Sequence, residues 1–240
     1  MFSIFRKEIN SFLNSLIGYL VIAVFLTTSG LIFWIFPDTS VLDYGFAEMG
    51  TFFSLTPYIF MFLLPAVTMR LFAEERKGGT MELLFTKPIT DWQIIGGKYL
   101  AACFLVVLAV IPTLLYYVTL YKIGNPQGNI DSAGVFGSYI GLLLLGAVFA
   151  AIGVFTSSLT DNQIVAFLIG VFGCFLLYVG IGSLAGLSIW GEGGYWIQQF
   201  GLDYHYNALG RGLIDSRNVM YFVSFIALFL WLTKWKLERK

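Results

Sequence analysis

The sequence predicts an all-α polytopic membrane protein with six transmembrane helices, and three observations carry that reading. Of 240 residues 58% are hydrophobic and only 12% charged, against roughly 25% charged in a soluble domain. Six long apolar stretches contain no Asp, Glu, Lys, Arg or His. The cationic residues outside those stretches fall mostly on one side of the chain's weave. A formal net charge of zero removes any overall basic excess that would suit nucleic acid. The two cysteines, Cys103 and Cys174, lie inside apolar runs and read as small lipid-buried side chains rather than as a bridge.

A spanning helix needs about 20 mainly apolar residues. The stretches that qualify are Leu16–Phe36, Phe52–Met69, Tyr99–Tyr121, Val135–Ser157, Gln163–Ala185 and Val219–Thr233. Arg6 and Lys7 precede the first as they would a secretory signal, but its length and the lack of a small-residue cleavage site predict a retained helix. Pro57, Pro65 and Pro112 fall inside spans, where neighbouring helices can re-satisfy the freed carbonyls. Pro65, about one turn before Met69, predicts a bend that serves as a hinge or as a fixed kink.

An even number of spans puts both termini on one side. That side, with the loops after the second and fourth spans, holds eleven Lys and Arg; the other holds Lys122, Arg211 and Arg217. The richer side is therefore expected in the cytoplasm. Trp34, Trp190, Trp196, Trp231 and Trp235 sit near span ends, as amphipathic rings do at headgroup level. Gly137 with Gly141, and Gly182 with Gly186, have the spacing that lets helices approach closely, either within the bundle or at a seam between copies.

Outside the spans, Phe2, Phe5, Ile9, Phe12, Leu13 and Leu16 recur at helical spacing, with Arg6, Lys7, Glu8, Asn10 and Asn14 on the other face. This predicts an amphipathic helix on the membrane surface, the alternative being an extension of the first span. Between the second and third spans, Gly78-Gly79 should break the outgoing helix, Thr80 cap a short new one with Glu82 near its positive end, and Pro88 stop it. Met81, Leu84 and Phe85 would then share a face turned to the cytosol or the membrane surface. Thr90 and Gln93 have the spacing of a capping box opening the helix of the third span. On the opposite side, the aromatic stretch from Leu187 to Asn218 is too polar to span and too apolar to float free, so it predicts re-entrant or interfacial helices. His205, the only histidine, reads there as a hydrogen-bonded packing residue.

The run EERKGGTMELLFTKPITDWQIIGGKYLA resembles the signature of ABC-2-type permeases, E-x-R-x-x-G-T-x-E-x-L-L-x-x-P, placed after a second span. The resemblance covers the whole chain and implies a single permease domain over residues 1–240, in which this segment couples to an ATP-binding subunit. The residues so implicated are Glu75, Arg76, Gly79, Thr80, Met81, Glu82, Leu83, Leu84, Phe85 and Pro88, with Glu74 an alternative to Glu75. The N-terminal helix resembles the family's connecting helix, and the segment before the last span its external re-entrant hairpin. FGLDYHYNALGRGLIDSRNVMYF is similar to the corresponding region of gliding-motility-associated permeases, the F subunits of Gld systems, and of permeases in copper-enzyme maturation. That similarity implies a bacterial inner-membrane exporter in gliding motility. Its implied partners are an ABC ATPase subunit, a second permease copy and an auxiliary membrane subunit with an external domain.

No catalytic, metal or cofactor site is expected in the chain itself, ATP and Mg being bound by the partner. The nearest approach to a phosphate-binding loop, Gly96-Gly97-Lys98, has Trp92 where glycine is required and Tyr99 where Ser or Thr is. Ion-driven transport wants ionisable groups within the membrane, and intramembrane metal or haem chemistry wants histidines or carboxylates there. The remaining alternative to export is a non-transporting subunit that passes ATP-driven motion to an external partner.

Overall fold

Each apolar stretch is helical, and the second, third, fourth and sixth lie inside longer helices. The computed structural model describes residues 1–85, 88–212 and 214–239, with the side chains of 44, 83–85, 188, 191 and 192 also outside the description. Among the described residues there is no strand, and six helical segments are long and apolar enough to cross a bilayer: Leu16–Trp34, Gly50–Lys77, Asp91–Ile123, Ser132–Leu159, Gln163–Ala185 and Ser216–Glu238. The second and third overrun their apolar stretches at one end, carrying Arg70, Glu74, Glu75, Arg76 and Lys77, and Asp91 and Lys98, into the helices.

The chain begins with α1 (Phe2–Leu13), which stops at Asn14 before Ser15 caps α2 (Leu16–Trp34), its Oγ accepting from Gly18 N. The N-terminal helix is thus separate from the first span and not its extension. After α3 (Val41–Tyr44) the second span runs as α4 (Gly50–Thr68) and α5 (Arg70–Lys77), interrupted at Met69 rather than at Pro65, through which the helix continues. A short α6 (Thr80–Phe85) follows. Gly79 between them has φ +66°, a left-handed conformation that a residue with a Cβ adopts only at a cost.

Thr90 and Gln93 form the expected capping box at the start of α7 (Asp91–Val110). Pro112 then turns the third span through a 3₁₀ step, Ile111–Thr113, into α8 (Leu114–Ile123). The fourth span, α9 (Ser132–Leu159), is the axis of the bundle: 72% of its most apolar window is buried, against 11% for the last span. It packs against α4 and α7 and against the two spans that follow.

The fifth span is α10 (Gln163–Phe175), a π turn over Leu176–Gly180, and α11 (Ile181–Ala185). Between it and the last span, α14 (Ser216–Glu238), lie two short helices, α12 (Gly194–Gln198) and α13 (Leu202–Leu209), neither long enough to span, as expected for a re-entrant segment. Gly137 and Gly141 serve packing within the chain. A Cβ on Gly137 would overlap Leu209 O, and one on Gly141 would press on Tyr206 and Leu209 of α13. A Cβ on Gly182 would meet nothing within 4 Å among the described residues.

His205 is the packing residue expected of it. Its Nε2 lies 2.9 Å from Gln199 O and its Nδ1 2.7 Å from Asn218 Oδ1, with the ring stacked on Tyr221 at 3.8 Å between centroids. A carbonyl oxygen only accepts, so Nε2 is the donor.

Candidate functional site

The charged ends of the second and third spans meet α1 in one cluster at the end of the bundle that carries both termini. Its centre is Lys98 of α7, 1% exposed. The ammonium donates to Glu8 Oε1 of α1 at 2.8 Å and to Leu71 O of α5 at 2.6 Å. Glu75 Oε2 stands 2.9 Å away, an ion pair too oblique to count among the hydrogen bonds. Glu75 Oε1 accepts from Lys7 Nζ at 2.7 Å. Burial would lower the Lys7 ammonium, but its hydrogen bond to Glu75 and the charges of Glu75 and Glu8 hold it above its ordinary value.

A buried ammonium is tolerated only when its charge is compensated and its protons have acceptors. Here two carboxylates, from two other helices, compensate the charge, and Glu8 Oε1 and Leu71 O accept two of the protons. The arrangement joins α1, α5 and α7 through one side chain. Two further contacts hold α1 in place: Ile4 lies over Gly97 of α7, and the Arg70 guanidinium stands 4.3 Å from the ring centroid of Phe12. The buried stripe of α1 is therefore Ile4, Glu8 and Phe12. Glu8 was expected on the solvated face; its spacing with Ile4 and Phe12 instead carries it inward, where Lys98 makes a carboxylate acceptable.

The structure separates the sequence-predicted coupling residues into three groups. Gly79, Thr80, Glu82 and Pro88 are exposed around α6. Arg76 is half-buried, with Nε and Nη2 lacking a hydrogen-bond partner among the described residues; Asp161, in the turn between α9 and α10, is the acid whose charge it feels. Glu75 and Met81 point inward, Glu75 into the ion cluster and Met81 into the core at 3% exposure. Met81 thus departs from the expected outward face, and the side chains of Leu83, Leu84 and Phe85 lie outside the described residues, as do Thr86 and Lys87. Thr80 does not cap α6 as expected: it is the first residue of that helix, and its hydroxyl donates back to Glu75 O at 3.3 Å, closing the end of α5.

Sequence reasoning missed Lys98 and Glu8 as members of the site. The signal available for Lys98 was its position one residue before an apolar stretch, inside a helix that the capping box had already opened.

A six-span helical bundle with a broken, charged segment between its second and third spans defines a polytopic membrane protein. The chain matches the model of the ABC-2 family transporter proteins over residues 2–233 and belongs to that family. No curated protein matches it. Membership makes the chain a multi-pass permease subunit of the bilayer that works with an ABC ATP-binding partner.

Proposed function

We propose that this subunit takes up work from ATP hydrolysis through α5 and α6 and uses it for export across a bacterial inner membrane, in the setting of gliding motility that its last-span region resembles. The supporting observation is the joining of a short helix, with Thr80 and Glu82 exposed, to a buried ion cluster. Motion of α6 cannot be absorbed locally, because Glu75, one turn before Gly79, is held by Lys98 and Lys7. Exposed Glu82 and Thr80 form the docking face. Glu82→Lys should lower co-purification of the ATP-binding subunit at least several-fold while the permease yield stays constant. Unchanged co-purification would count against this docking face.

The eleven-to-three cation bias supports a topology with both termini in the cytoplasm. A cysteine at exposed Asn129 should then react with an impermeant reagent from outside only. Two permease copies are proposed because each chain brings one coupling segment, whereas ABC ATPases close two nucleotide sites between paired subunits. An isologous pair meets that need, and the thinly covered α14 leaves a face for it. A complex mass accounting for one permease beside two ATPases would overturn the pairing.

A second reading, motion passed to an auxiliary subunit without transport, is supported by how firmly the segment over α12 and α13 is tied to the spans: Tyr206 donates to Phe53 O at 2.7 Å, and His205 reaches Asn218. Vesicles holding the complex and labelled lipid would separate the readings, since only an exporter moves label on ATP addition.

A further inference from the structure

The interruption of the second span at Met69 has a side chain built into it. In an unbroken helix Phe72 N would donate to Thr68 O and Ala73 N to Met69 O. Here both amides donate instead to Ser157 Oγ of α9, at 3.0 and 3.2 Å, while the same hydroxyl donates to Met69 O at 2.7 Å. One donor and two acceptor positions are all that a serine hydroxyl has, and every one of them is spent on the break. A side chain inserted into the i to i−4 ladder is a recognised cause of a helix bend.

The joint is dry, with Ser157, Phe72 and Ala73 all 0% exposed, so no water stands ready to replace the hydroxyl. One turn earlier on α9, Gly153 lies against Thr68, whose Oγ1 occupies the place a Cβ would take. On the far side, Lys98 holds Leu71 O, within the same stretch of backbone. Pro65 has no comparable arrangement: the helix passes through it, and Met69 N bonds to Pro65 O at 2.8 Å.

The geometry points to Ser157 as the fulcrum of the coupling helix: α5 pivots about residues 69–73 on the Ser157 hydroxyl, which delivers its displacement to α9, while Pro65 is a fixed feature of the span. Ser157 is here a positioning residue. A single hydroxyl that replaces consecutive ladder bonds lets the two helix segments change angle while both amides keep one acceptor, which a continuous ladder cannot do. The inference rests on the reading that the stroke enters through α5 and α6.

The test uses the full permease with its ATP-binding subunit in lipid nanodiscs, with Cys103→Ala and Cys174→Ala and spin labels at exposed positions 62 and 77 on either side of the joint. The wild-type distance should change when a non-hydrolysable ATP analogue binds. Ser157→Ala should abolish at least half of that change while ATP hydrolysis continues. Ser157→Cys, with its weaker donor and acceptor, should fall between. Pro65→Ala should behave as wild type, as should Ser158→Ala, which removes an equally buried hydroxyl bonded only to its own helix at Phe155 O.

A nucleotide-dependent change that survives intact in Ser157→Ala would overturn the fulcrum alone. A wild-type distance blind to nucleotide would overturn it together with the stroke reading. Hydrogen exchange on the permease without its partner adds an independent measure: amides of residues 72 and 73 should exchange at least about tenfold faster in Ser157→Ala, with residues 58–68 unaltered. Equal exchange would also overturn the proposal.

Discussion

The two ends of the bundle solve the same problem with different chemistry. At the end bearing the termini, α1 and α5 are fastened to the third span by charge, through Lys98, Glu8, Glu75 and Lys7. At the opposite end, α13 is fastened without an ion pair among the described residues: the Tyr206 hydroxyl on Phe53 O, His205 between Gln199 O and Asn218, and backbone contact at Gly137. A neutral hydrogen bond that is lost leaves one polar group wanting, at about 1–3 kcal/mol. A buried ion cluster that loses its cation leaves like charges facing one another. The charged end should therefore be stiff against small displacements and intolerant of partial removal, a property suited to a segment that is pulled.

The sharpest way to break this comparison is to remove the central cation. Lys98→Met keeps the length and buries no charge, but leaves Glu8 and Glu75 with only the half-exposed Lys7. A loss of about 3–5 kcal/mol is expected, read as a lowered midpoint of thermal unfolding in detergent. Adding Glu8→Gln and Glu75→Gln to the same chain should recover part of the loss, because neutral partners no longer repel. If Lys98→Met melts within a degree of wild type, the charged end is not held by its charges.

At the neutral end, Tyr206→Phe removes the donor to Phe53 O from a site 4% exposed, with an expected cost of about 1–3 kcal/mol. Gly137→Ala pushes a methyl onto Leu209 O and should cost a comparable amount, about 1–3 kcal/mol, through overpacking. Gly182→Ala, made where nothing lies within 4 Å, should leave the isolated chain's melting unchanged. Any loss of dimer with Gly182→Ala would assign that glycine to the seam between copies. Equal costs for Tyr206→Phe and Lys98→Met would erase the distinction between the ends.

Much of the architecture was legible because long apolar runs have one stable solution in a bilayer, and because the break at Gly78-Gly79 and the capping box at Thr90 and Gln93 are local chemistry. The site was legible only where it is local. Glu8 stood among polar residues of an amphipathic helix, and helical spacing cannot say which of them meets a cation 90 positions away. Lys98 lay one residue outside an apolar stretch, so it read as the rim of a span when it is the centre of a cluster. Ser157 is the middle of a small-residue run, TSS, that could equally have been close packing. Pro65 drew the expected bend to itself, whereas the break four residues later depends on a hydroxyl supplied by α9, a partner no local pattern records.

The smallest expected effect tests whether the charged end is one network or a core with an ornament. Lys7 Nζ stands 2.7 Å from Glu75 Oε1 and 3.6 Å from Glu8 Oε1, but its side chain is 56% exposed, while that of Lys98 is 1% exposed. Water and salt can stand in for an exposed ammonium, so Lys7→Ala should cost no more than about 1 kcal/mol. That cost should shrink as salt is raised from low to physiological strength, where the screening length is about 8 Å. The Lys98→Met cost, at a side chain 1% exposed, should respond less to salt. Glu75 gives the connection between the two cations. If they act as one network, Lys7→Ala made in the Lys98→Met chain should cost more than it does in wild type, because Lys7 is then the last cation left to the two carboxylates. Additive costs in that double variant, measured by thermal unfolding at two salt concentrations, would show that Lys7 only decorates a cluster that Lys98 holds alone.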